Sequence, residues 1–99
     1  MPLVEMTSIT LKMLIDAGVL IPGQVIHPIK GSRQVEGVLN EDGTISLNID
    51  TRGKRFNSPS GAAKAVENSS INGWIYWGVK EQGNMVELSV FRQKLKQTD

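Results

Sequence analysis

The chain has 99 residues, 39% hydrophobic and 21% charged, which suits one globular domain with a modest core and argues against disorder. It has no cysteine, excluding disulfides and thiolate metal sites, and no apolar run of the roughly eighteen residues that a membrane helix needs. Net charge is +1 but unevenly spread: residues 1–51 carry three basic and six acidic side chains, residues 52–99 eight basic and four acidic. That asymmetry points weakly to an anionic partner, and solubilising surface charge explains it equally simply. The opening "MPLVEMTSIT" lacks the basic and long apolar regions of a secretory signal, so a cytoplasmic location is expected.

"ITLKMLIDAGVLIPG" reads as a short helix. Thr10 is placed to cap it, Ile9 and Leu14 to staple its entry, and Leu11, Leu14 and Ile15 to form an apolar stripe. Gly18 suits the left-handed position that ends a helix, and Pro22–Gly23 turns the chain. "QVIHPIK" follows as a strand. Pro28 has no N–H to give a ladder, so an edge position or a strand end is expected.

"RQVEGVLN" and "TISLNID" flank "NEDG", a hairpin signal. In the second arm Ile45, Leu47 and Ile49 alternate inward, and Thr44, Ser46 and Asn48 outward. "DTRG" is a further turn, and "KRF" a short third arm. "SPSGAAKAV" opens a second helix, with Ser58 as N-cap, Pro59 at the first helical position, and Ala62, Ala63, Ala65 and Val66 allowing close packing. "NSSING" ends it.

"WIYWGVK" reads as a strand, with Ile75, Trp77 and Val79 on one face and Trp74, Tyr76 and Gly78 on the other. Trp77 falls on the more apolar, core-facing side. Trp74 is left at the strand start, either packed under the second helix or facing a ligand. After an "EQGN" turn, "MVELSVFRQKLK" has Val86, Val90, Phe91 and Leu95 near helical spacing. It reads as a C-terminal helix with a basic end. Together the elements make a single α+β domain: a small antiparallel β-sheet of hairpins flanked by about three short helices.

Few residues offer catalysis. His27 is the sole histidine, and no phosphate-cradling loop or nucleophile elbow is present. Glu41, Asp42 and Asp50 sit where turns want them. The expectation is a non-enzyme without metal or cofactor. Binding groups are easier to find. The free N–H groups at the start of the second helix, with the Ser58 and Ser60 hydroxyls, make a small anion-binding corner, and Lys54 and Arg55 precede it. Asn72 suits a turn, and its amide also matches an adenine edge.

The segments "LIDAGVLIPG", "NEDGTI", "FNSPSGAAKAV", "NGWIYW" and "LSVFRQKL" occur in the order found in the RAMA domain, the restriction-enzyme and adenine-methylase associated domain. The resemblance spans about residues 9–95 of the single 1–99 domain, and F-x-SPS-x-A followed by NGW-x-x-W is its specific part. It implies a non-catalytic module for double-stranded DNA, tied to restriction-modification or adenine-methylation systems, with modified DNA among its ligands. A methyltransferase or nuclease is the implied partner or fused domain. The family's polar and aromatic positions correspond to Ser58 or Ser60, Asn72, Trp74 and Arg92. Ser89 stands near where methylase-associated forms often carry an Asp. The expected surface is thus Lys54, Arg55, Ser58 and Ser60 on phosphates, Asn72 and Trp74 on a base or sugar edge, and Arg92 on a phosphate or groove. On this reading Trp74→Ala and Arg92→Ala weaken binding with little loss of stability. The alternative is a protein–protein or oligomerisation module anchored by Trp74 and Tyr76.

Overall fold

The computed structural model describes residues 9–29, 34–49 and 51–97. Lys30, Arg33 and Asp50, which the sequence places at strand ends and a turn, lie outside the described residues, as does most of the opening segment.

Helix α1 (Leu11–Asp16) is capped by Thr10, whose side chain accepts from the Met13 amide at 3.2 Å. Leu11, Leu14 and Ile15 are buried, and Gly18 takes φ +77° just beyond the helix. Strand β1 (Val25–Pro28) follows. It is no edge strand: it sits inside a six-stranded antiparallel sheet of order β4-β3-β2-β1-β5-β6. Pro28 instead ends the strand, the other expected position. Alternate residues of a strand point their N–H groups to opposite neighbours. The Ile29 amide donates to the Tyr76 carbonyl on the β5 side, so the Pro28 nitrogen faces β2, where pairing has already stopped at Ile26.

Strands β2 (Gly37–Leu39) and β3 (Ile45–Leu47) form the expected hairpin, with Gly43 at φ +87°. A side chain on Gly43 would strike the Lys12 backbone, so the hairpin tip is seated against α1. Ile45 is buried and Leu47 half-buried. Ile49, expected in the core, is exposed, because the strand ends at Leu47 and the pleat no longer directs it inward. Strand β4 (Arg55–Phe56) is the short third arm.

Helix α2 (Pro59–Glu67) begins as its sequence dictates: Ser58 Oγ accepts from the Gly61 amide at 3.1 Å, and Pro59 needs no partner for a missing N–H. Ala62, Ala63 and Val66 are buried while Ala65 is exposed, and Asn68 closes the helix in the left-handed region.

Two expectations are overturned in the last third. Gly73–Tyr76 is not strand but a single helical turn, α3, capped by Asn72. A short apolar run carries no decisive period, and here it closes one helical turn. The Ile75 and Tyr76 amides both donate to the Asn72 carbonyl. Ile75, expected inside, is therefore exposed, and Tyr76, expected on the opposite face, is buried. Strand β5 starts only at Trp77 (Trp77–Glu81). Likewise Met85–Glu87 is not helix but part of β6 (Asn84–Glu87), which pairs with β5. Gln82 and Gly83 both have positive φ, the two-residue turn that returns a strand on itself. The C-terminal helix α4 (Leu88–Gln97) begins after it.

The core lies between the sheet and the helices. Ile26, Leu39, Ile45, Trp77 and Val79 from the strands meet Leu11, Leu14, Ala62, Ala63, Leu88 and Phe91 from the helices. Trp77, fully buried, is the largest of these side chains, as its sequence position suggested.

Candidate nucleic-acid interface

The segments SPS and NGWIYW are locked together. Gly73 opens α3 directly against the first turn of α2. A methyl at Gly73 would overlap the carbonyl group of Pro59 and the amide of Ser60. The Gly73 amide donates to Ser60 Oγ at 3.0 Å. The buried Trp77 indole N–H donates to the Pro59 carbonyl at 2.9 Å. At the other end, the Tyr76 hydroxyl donates to the Glu67 carboxylate at 2.6 Å. The residues of the two motifs therefore serve the local structure first. Ser58 caps α2, Pro59 accepts from Trp77, Ser60 accepts from Gly73, and Asn72 Oδ1 accepts from the Trp74 amide at 3.1 Å.

This clamp sets Trp74 beside the N-terminus of α2. The ring is half-buried against the core and lines a cleft of about 120 Å³ with Ile9, Thr10, Leu11, Asn57, Ser58 and Pro59. From α4, the Arg92 guanidinium carbon lies 4.0 Å from the centre of the Trp74 ring, a close cation–π stack. Arg92 is only 8% exposed, and burial lowers its pKa from the ordinary arginine value. It still carries its charge at neutral pH.

Of the residues singled out from the sequence, Ser58 and Trp74 share the cleft, Ser60 and Asn72 hold the backbone behind it, and Arg92 covers the Trp74 ring. Ser58 and Ser60 use their oxygens as acceptors inside the protein, which leaves each hydroxyl proton available to an outside acceptor. Lys54 and Arg55 go elsewhere. Lys54 leans over Phe56, 5.3 Å from its ring centre, in a crevice with Ser46 and Arg52. Arg55 reaches the hairpin tip, 3.6 Å from Asp42, in a crevice it shares with Lys12 and Glu41. The two neighbours in sequence thus line different crevices.

The burial of Trp74 and Arg92 also corrects the expectation that truncating either leaves stability unchanged: both pack on the core side. Tyr76 is buried and bonded to Glu67, so it does not share an exposed face with Trp74, and these two rings do not form the paired aromatic anchor expected for a protein interface. Sequence reading missed Thr10 and Leu11 as walls of the cleft, and Gly73 as the contact that seats α3. Only a chain folded back on itself brings α1 to this place.

A wider cleft of about 490 Å³ lies elsewhere, lined by His27, Pro28, Glu36, Asn48, Lys80 and Met85. His27 Nδ1 is 3.7 Å from Glu36, too long for a good hydrogen bond, and the mixed charges suit no single ligand. Its greater size is outweighed by its lack of convergent chemistry. Among the described residues no helix is long and apolar enough to cross a membrane.

No curated protein matches the chain. The profile of one family, described as Restriction Enzyme Adenine Methylase Associated, matches residues 3–98, nearly the whole chain, in which the SPS and NGWIYW segments form the clamp just described. The chain belongs to this family, the RAMA domains.

Proposed function

We propose that this chain is a non-catalytic module that holds double-stranded DNA on behalf of a restriction or adenine-methylation enzyme. The observation that carries the reading is the Trp74–Arg92 stack, set at the rim of a cleft beside the N-terminus of α2. An indole held rigid by its neighbours suits stacking or edge contact with a nucleotide. The Ser58 hydroxyl and the first amides of α2 suit a phosphate. Asn72, exposed on the same turn, offers an amide to a base or sugar edge. Lys54 and Arg55 add cationic attraction along the backbone at some distance from the cleft. The family's association with restriction enzymes and adenine methylases agrees with such a partner. Modified adenine is the ligand variant to test first.

Fluorescence anisotropy with matched methylated and unmethylated duplexes across a salt series tests this. The expected result is an affinity that falls steeply with salt, with a log–log slope of about −0.9 for each phosphate neutralised. No binding at low salt, together with a mass that rises with protein concentration, would favour an association module instead.

A further inference from the structure

The resemblance implies a phosphate or groove contact for Arg92, but its placement gives it a different role. We propose that Arg92 is a positioning residue, holding the Trp74 ring as a wall of the cleft rather than contacting DNA itself; this rests on the DNA-binding reading above. Three observations lead here. Arg92 is 8% exposed, whereas a phosphate clamp needs its fork of N–H groups at the surface. Its guanidinium lies close enough over the indole to bring its carbon 4.0 Å from the ring centre. The backbone of Trp74 is already fixed, by Asn72 Oδ1 at its own amide and by Ser60 at the preceding one. What these bonds leave free is rotation of the indole about its side-chain bonds. Arg92, reaching in from a different helix, removes that freedom. Its delocalised plane matters as much as its charge, and a lysine lacks the plane.

The role predicts a split between two readouts. Acrylamide quenching of tryptophan emission in the DNA-free protein reports on Trp74, because Trp77 is fully buried and contributes little. Arg92→Ala and Arg92→Lys should both increase quenching, and Arg92→Gln, which keeps a planar group, should increase it less. DNA affinity should fall roughly three- to tenfold in Arg92→Ala. Its salt slope should equal that of the wild type, whereas Lys54→Ala should make the slope shallower by about 0.9. Should Arg92→Ala fail to fold, the Lys and Gln variants carry the same comparison. The proposal is overturned if Arg92→Gln makes the slope shallower by about 0.9 while Arg92→Lys preserves wild-type binding. It is also overturned if quenching is the same in every variant. A wild-type protein with no affinity for duplex DNA would sink the DNA reading alone, and quenching would then decide whether Arg92 positions Trp74.

Discussion

Gly73→Ala is the sharpest test of the clamp between α2 and α3. The added methyl would overlap Pro59 and Ser60 backbone atoms, well inside the 3.0 Å that real Cβ atoms keep. These atoms belong to the first turn of a capped helix and cannot swing aside as a side-chain tip does. Restoring ordinary carbon contact of about 3.5 Å requires α3 to withdraw by more than about 1 Å. The Gly73–Ser60 and Trp77–Pro59 hydrogen bonds, 3.0 and 2.9 Å long, then stretch beyond useful range. Losing two bonds costs about 1 kcal/mol each, and a buried indole N–H without a partner adds about 1–3 kcal/mol. Residual overpacking adds about 1 kcal/mol or more. A loss of about 4–6 kcal/mol is expected, a large part of the roughly 5–15 kcal/mol that holds a domain together. Urea unfolding followed by circular dichroism measures it, and the thermal midpoint should fall by at least about 15 °C. Gly61→Ala is the control. Its methyl would meet Ser58 Oγ at 3.3 Å and Phe56 Cδ1 at an ordinary 4.0 Å, and the helix-propensity gain of about 1 kcal/mol offsets the crowding, leaving stability near wild type. A Gly73→Ala protein less than about 1 kcal/mol weaker than wild type would show that α3 is not seated on α2 in this way.

Trp77→Phe keeps most of the buried ring but removes the donor to Pro59, so urea unfolding should show a loss of about 1–3 kcal/mol; a neutral result would refute the bond. Tyr76→Phe and Glu67→Ala, combined in a double-mutant cycle, should show a coupling of about 0.5–1.5 kcal/mol, and additive losses would mean that the hydroxyl does not tie the two helices. Asp42 accepts from both the amide and the hydroxyl of Thr44, and these bonds, the hydroxyl's first, hold its pKa below the ordinary carboxylate value. Its contribution is present at neutral pH and disappears as pH falls below about 4, through the lowered folded-state value. Asp42→Asn should therefore flatten the acid limb of stability against pH, and an unchanged acid limb would count against this assignment.

What was legible in the sequence is what neighbouring residues settle among themselves. Thr10 and Ser58 cap their helices because a hydroxyl three residues ahead of a free amide suffices. Gly43, between an acidic turn and a β-branched strand, makes its hairpin wherever it stands. The RAMA resemblance was legible for the same reason, since SPS and NGW are short strings. The segment WIYW was not, because four apolar residues fit a helical turn as well as a strand. The choice fell to Gly73 packing on Pro59 and Ser60, thirteen or more residues away in the chain. Met85 and Val86 fit a helix by spacing alone, and pairing with β5 claims them for a strand. The proposed site divides along the same line. Residue type singled out Ser58, Ser60, Asn72 and Trp74, the resemblance added Arg92, and these gather around one cleft. Type also grouped Lys54 and Arg55 with them, and these two line other crevices. Most of all, the resemblance implied a DNA contact for Arg92, at the surface. The packing of α4 against α3 buried it on Trp74, because what a charged side chain does depends on what covers it and not on its identity.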